Sequence, residues 1–284
     1  MRVVMAIFVA SLFFSGCALK KEGAWEESTR SQSLASAIVY RDGEATQSSP
    51  DHIQLSEHPS SQTPNNPAKP KNWIYYKGAN WPKRVALTFD DGPDYYYTTK
   101  ILDILKREKV LATFFIMGKN ANKYPDVLKR IAREGHLIGN HSWNHADFSK
   151  LSAERMKWEI RSTEDLIYRT IGVRPNFFRP PFGAMSNQLK NYIKDSRYSI
   201  IYWNVDTRDW TERPAYKIMD VIRKKVNSGD IVLLHSAGGG QSLQGTLDAL
   251  PQVIHFLRQQ GFQLVTVDEL LQLPAYADPI LPSK

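Results

Sequence analysis

Residues 88–94 read TFDDGPD and set two carboxylates, Asp90 and Asp91, side by side directly behind the apolar run 85–89. A run of that length reads as a short buried strand, and Gly92-Pro93 punctuates it as a turn. Side chains alternate across a strand, so adjacent carboxylates meet different surroundings and cannot share one role. An Asp-rich turn capping a strand is the ordinary structural alternative, and the segment alone does not decide between the two. HSWNH at 141–145 places His141 and His145 four residues apart, so that on a helical turn both imidazoles project from one side. Two histidines and a carboxylate form a common metal set with a position left open for water. A lone pair at this spacing is more often structural, and because the motif is not HExxH no base sits within it. Joined to Asp90-Asp91 at another strand end, the metal reading is the favoured one.

The fold must gather these groups from distant segments. Apolar runs at 85–89, 112–116, 137–139, 177–179, 199–203, 231–234 and 263–266 predict strands; helix-period segments at 98–108, 120–134, 152–170, 187–195, 214–227, 245–260 and 267–273 predict helices. Their alternation predicts an α/β protein with a parallel sheet, and at this length a closed or nearly closed (β/α) barrel within 71–284. A doubly wound open sheet is the alternative, but no Gly-rich phosphate loop follows the first strand. Asp90 and Asp91, Asn140 with His141 and His145, Arg179, Asp206 and Asp209, and His235 all fall at or just behind expected strand ends. In a barrel of this kind those positions open onto one face, where the loops build a site. That convergence weighs more than any single motif.

TFDDGPD, HSWNH, RPPFG, DTRDW and IVLLH, in this order over roughly residues 80 to 270, resemble the five motifs of the polysaccharide deacetylases, carbohydrate esterase family 4 with the NodB-homology fold. The resemblance implies a distorted (β/α) barrel that removes N- or O-acetyl groups from glycans such as chitin, peptidoglycan or xylan with a divalent metal. It assigns Asp90 as catalytic base and Asp91, His141 and His145 as metal ligands. Arg179 would orient the base, the backbone N–H of Phe182 would hold the oxyanion, and His235 would be the general acid. Asp209 is the implied support for His235, with Asp206 its rival, and Trp210 and Leu233 would line the groove for the acetyl methyl. Zinc is the implied cation; cobalt and nickel also suit an Asp-His-His set. The paired carboxylates then have separate tasks: one helps hold the cation that acidifies water, and the unligated one takes the proton. Two departures stand out. Phe182 stands where many members carry Tyr, which leaves a backbone donor intact, and Ser236 with Ala237 and three glycines follows His235 where many carry Asp.

The first seventeen residues, MRVVMAIFVASLFFSGC, join Arg2 to an apolar stretch too short to span a bilayer comfortably, and predict a signal peptide. Cys17 is the single cysteine, so no intrachain disulfide exists. Its setting resembles a lipoprotein lipobox, with Phe14 where Leu is usual. The expectation is export with a lipid anchor at Cys17 on the outer face of a bacterial membrane; a transmembrane anchor, or a cysteine discarded with the leader, is the alternative. Residues 18–70, rich in Ser, Gln, Thr, Pro and Asn, predict a polar tether. Five Lys/Arg stand there against seven Asp/Glu, a balance of −2; with +1 from Arg2, the net charge of +8 leaves +9 on 71–284. A basic exported domain is drawn to polyanions such as an anionic cell wall, and no basic stripe with interleaved aromatics marks a nucleic-acid surface. The expected partner is a cell-wall glycan, foremost peptidoglycan, met by a monomer. Competing readings are a deacetylase of chitin oligomers or O-acetylated polymer, an amidohydrolase of small amides, a non-catalytic glycan-binding lipoprotein, and a polyanion-binding surface protein. Among other histidines, His136 is expected to pack near the third strand and His255 to lie within a helix, while His52 and His58 fall in the tether.

Overall fold

The run VALTF at 85–89, apolar at every position but Thr88, can be buried on both faces only as an inner strand of a covered parallel sheet. The computed structural model, which describes residues 72–277, places it there. The strands are β1 (Ile74–Tyr75), β2 (Arg84–Asp90), β3 (Thr113–Ile116), β4 (Leu137–Asn140), β5 (Phe177–Phe178), β6 (Ser199–Ile201), β7 (Val205–Asp206), β8 (Asp230–His235) and β9 (Gln263–Val265). Every strand pair is parallel, in the order β1-β6-β5-β4-β3-β2-β8-β7, with β9 and β3 sharing one edge of β2. Seven of these match the expected strands; β1 and β7, two residues each, carry too little pattern to announce themselves. The expected leader, Cys17 and the expected tether lie outside the described residues, among which no helix is long and apolar enough to cross a membrane.

Chain geometry requires the sheet to curl. β6 and β7 stand six strand positions apart, yet only residues 202–204 join them. Four Cα steps reach at most about 14 Å, whereas six flat spacings of about 4.8 Å would need about 29 Å. The sheet therefore bends into a distorted barrel, with Ser199–Asp206 as its seam. Beside the seam, β1 pairs with β6, and Gly78 N–H just beyond β1 donates to Gly229 O at 2.7 Å.

Helices α1 (Tyr97–Glu108), α2 (Gly118–Lys123), α3 (Pro125–Arg133), α4 (Ala153–Ile171), α5 (Asn187–Lys194), α6 (Ala215–Lys225), α7 (Gln244–Gln259) and α8 (Val267–Leu271) accompany the sheet. Local chemistry sets their ends. Ser152 and Ser186 accept the N–H groups of Arg155 and Leu189 as N-caps of α4 and α5, and Gly172 closes α4 in a left-handed turn. The single helix expected over 120–134 is two helices, because Pro125 lacks the N–H a continuous helix needs and instead begins α3. The largest core cluster packs Leu87, Phe89, Phe114, Ile138, Val232 and Leu234 of the sheet against Leu102, Ile131, Leu250 and Ile254 of the helices. Asp90 and His235 are register partners at the ends of β2 and β8, so the core itself brings them together.

Candidate active site

At the C-terminal end of the strands lies a cleft of ≈ 400 Å³, lined among others by Asp90, Asp91, His141, His145, Phe182, Trp210, Leu233 and His235. Asp90 ends β2 in extended backbone and is 3% exposed. Asp91 turns into the left-handed region (φ 72°), which sends its carboxylate elsewhere. The turn is pinned below: Ser236 N–H and Oγ both donate to the Asp90 carbonyl, at 2.9 and 3.1 Å, and Asn120 Nδ2 donates to the Asp91 carbonyl at 2.6 Å. A Cβ on Gly92 would stand 2.4 Å from Ser236 Oγ, so that close approach needs glycine. Ser236, the departure seen in the sequence, thus braces the carboxylate pair.

The two carboxylates meet opposite environments. Asp90 Oδ1 accepts from Arg179 Nη1 at 2.7 Å. Arg179, fully buried just beyond β5, spends its other donors on Thr88 Oγ1 (2.8 Å) and the carbonyls of Ile201 (2.9 Å) and Tyr202 (3.1 Å), with its guanidinium carbon 4.0 Å from the Phe115 ring centre. A planar fork held at four points has one orientation. Burial pushes the Asp90 carboxyl above its ordinary range, while Arg179, His235 and His145 pull the other way. Burial likewise lowers the Arg179 pKa, and Asp90 opposes that shift. Asp91 Oδ1, in contrast, is buried without a hydrogen-bond partner and lies 3.5 and 3.3 Å from Nε2 of His141 and His145. A partnerless buried carboxylate oxygen facing two ring nitrogens, with ligand atoms within 4.8 Å of one another, fits a divalent cation in donor type and spacing.

His141 is prepared for that task. Its Nδ1 meets the Arg179 carbonyl at 2.7 Å; a carbonyl only accepts, so Nδ1 carries the proton and Nε2 keeps its lone pair. Burial lowers its pKa to about 3, which leaves the ring neutral. The helical turn expected for HSWNH is not formed. Ser142 (φ 70°) and His145 (φ 59°) are left-handed, and the segment is a loop. His145 rests edge-on against Phe182, ring centres 4.5 Å apart.

His235 stands across the cleft at the end of β8. Its Nδ1 and backbone N–H engage the two oxygens of Asp209 at 2.8 and 2.9 Å. Asp209 also accepts from Trp210 N–H (3.0 Å) and Thr246 Oγ1 (2.8 Å), so four donors hold it. Burial works to lower the His235 pKa, but the hydrogen bond and charge of Asp209, with Asp91 and Asp90 beyond, carry it from 6.5 to about 9. Asp206, the rival partner, instead accepts from the Arg208 N–H at 2.7 Å. Phe182 is left-handed (φ 59°) and 69% exposed at the rim, Leu233 is buried in the wall, and Trp210 is exposed. His136, buried before β4, accepts from the Ala112 N–H at 3.2 Å, away from the cleft, and His255 is exposed on α7.

Sequence reasoning missed Thr88, Trp203, Gln241, Leu243, Thr246 and Glu159. Gln241 and Leu243 line the cleft from a loop with no periodic pattern, and Trp203, which ends the strand expected over 199–203, lies beyond β6 in the connection to β7. Glu159 did leave a signal: it sits on the apolar stripe of α4 with Met156, Ile160 and Thr163, where an acid is out of place.

Known proteins resemble this chain in sequence and fold. A family model described as Polysaccharide deacetylase matches residues 77–201. A peptidoglycan-N-acetylglucosamine deacetylase of Bacillus cereus is 43% identical over 189 residues, 66% of this chain and 68% of that protein. A peptidoglycan-N-acetylmuramic acid deacetylase of Bacillus subtilis, PdaC, is 38% identical over 66% of this chain; the chain spans 38% of PdaC. Among solved structures, the Bc1960 peptidoglycan N-acetylglucosamine deacetylase, in complex with a naphthyl N-oxidanyl-benzamide, superposes with a TM-score of 0.71 at 38% identity, covering 73% of this chain and 96% of that one. With fold, motif order and a relative of that identity and coverage in agreement, this chain belongs to the polysaccharide deacetylase family.

Proposed function

We propose that the protein hydrolyses acetyl groups from the N-acetylated sugars of peptidoglycan. The observation that carries this reading is the division of Asp90 and Asp91: one carboxylate held by Arg179, the other bare toward two imidazoles. Asp91, His141 and His145 would hold a divalent cation, zinc foremost, with cobalt and nickel also compatible. When bound it supplies positive charge that polarises the acetyl carbonyl and lowers the pKa of water. Asp90 accepts the proton of the attacking water, its basicity raised by burial and its direction fixed by Arg179. The Phe182 N–H would be the donor to the developing oxyanion, where a preformed donor acts without reorganising. His235, kept protonated by Asp209, gives its proton to the departing amine, a poor leaving group without it. Trp210 and Leu233 close around the acetyl methyl.

The substrate assignment rests on relatives named as peptidoglycan deacetylases and on the basic charge of residues 71–284. Export, lipid attachment at Cys17, a polar tether over 18–70 and action as a monomer on the outer face of the cell membrane, toward the wall, belong to the same proposal. The test is acetate release from purified peptidoglycan by the full chain, with zinc, with chelator, and with Asp90→Asn. Metal-dependent release, lost in the variant, is expected. Release only from chitin oligomers or an O-acetylated polymer moves the substrate, and release from none by folded, zinc-loaded protein turns the reading to a glycan-binding protein.

A further inference from the structure

One buried carboxylate near the cleft has no part in the reaction. Glu159, in the second turn of α4, is 0% exposed. Its Oε2 accepts two consecutive backbone N–H groups, those of Trp143 and Asn144, at 2.8 Å each, while Oε1 accepts from Arg155 Nη2 at 2.8 Å. These amides lie between His141 and His145. Left-handed backbone at Ser142 and His145 takes the loop out of helical hydrogen bonding, and non-glycine residues hold such backbone only where their surroundings impose it. Side chains supply the imposition. Asn140 Oδ1 takes the Ser142 N–H, Glu159 takes the next two, and Ser142 Oγ takes the His145 N–H. From the other side, the N–H groups of Gly118 and Lys119 at the start of α2 donate to the carbonyls of Ser142 and Trp143 at 2.9 and 3.0 Å. A Cβ on Gly118 would come within 2.4 Å of the Trp143 ring, so the loop is pressed against α2 as well.

We propose that Glu159 is the positioning residue of the ligand loop: by binding the Trp143 and Asn144 amides it fixes the span between His141 and His145, and with it the separation of their Nε2 atoms for a divalent cation. The inference rests on the metal reading of Asp91, His141 and His145. A carboxylate suits the place because one oxygen serves two amides while the other meets Arg155; an amide side chain would turn a donor toward that guanidinium. An apolar side chain would leave two inward amides without an acceptor.

The test measures zinc affinity of the metal-free full chain by competition with a chromophoric chelator, and the visible spectrum of the Co²⁺ form, for wild type, Glu159→Ala and Glu159→Gln. The alanine variant is expected to bind zinc about 10- to 100-fold more weakly, the usual penalty for removing a group that orients a ligand. Its cobalt bands change in intensity, and the glutamine variant falls between. A folded alanine variant with wild-type zinc affinity and cobalt spectrum overturns the proposal. Wild-type protein that binds no zinc overturns the metal reading beneath it. Where the alanine variant does not fold, hydrogen exchange on metal-free wild type decides: protected Trp143 and Asn144 amides are expected, and exchange at the rate of an open chain overturns the proposal.

Discussion

The two walls of the cleft are built from the same residue types and give opposite chemistry. On one wall a buried histidine, His141, turns Nδ1 to a backbone carbonyl and is neutral, its pKa lowered to about 3 chiefly by burial. On the other a part-buried histidine, His235, turns Nδ1 to the Asp209 carboxylate and is raised to about 9 against the pull of burial. Burial pulls both pKa values down, so its direction does not make the difference. The partner on the far ring nitrogen does: a neutral acceptor leaves Nε2 its lone pair, and a charged one keeps the ring protonated.

The largest test of this contrast removes the metal wall. Chelation is expected to lower kcat about 10³-fold, the loss of several kcal/mol of transition-state stabilisation, with zinc restoring it. An undiminished rate after verified metal removal would break the comparison at its root. Next, Asp209→Asn takes the carboxylate from His235. Activity near pH 7 is expected to fall about 10²-fold, and the upper limb of the pH–rate profile, set near pH 9 by an acid that must be protonated, moves downward. An unmoved upper limb would show that His235 is not that acid.

A smaller effect lies in stability. The folded His235 pKa exceeds its ordinary value of 6.5, so folded protein binds the proton more tightly than unfolded chain. That stabilisation is complete below pH 6.5 and is lost as pH rises through about 9; denaturant midpoints should fall over that window in wild type and stay flatter in Asp209→Asn. The smallest effect sharpens the picture: Thr246→Val removes one of four donors to Asp209. A less dispersed carboxylate holds the imidazolium more firmly, so the upper limb should shift slightly upward with kcat changed less than about tenfold. A downward shift would mean that Thr246 acts through position and not charge.

What the sequence made legible was where chemistry would gather, because strand ends in a parallel barrel share a face and the runs behind Asp90, Arg179 and His235 were long or apolar enough to be recognised. Shape within the loops was not legible. HSWNH has helical spacing, and only Asn140, Glu159 and Ser142, acting as acceptors from outside the pattern, make it a loop. β7 is invisible for a different reason: two residues have no period, and their place beside β8 follows from closure of the sheet. Spacing alone did not rank Asp206 and Asp209 either; the resemblance put Asp209 first, and its bonds to His235 and to Thr246, thirty-seven positions further on, form only in the folded chain.

The seam of the barrel carries one more consequence. Residues 202–204 fasten the two ends of the sheet like a clasp, and the carbonyls of Ile201 and Tyr202, at and beside that clasp, are two of the acceptors that aim Arg179 at Asp90. The hoop and the trigger share a fastening. Springing the clasp by a local opening would free the guanidinium and leave Asp90 misaimed while the helices stand, so this protein is expected to fall silent before it falls apart.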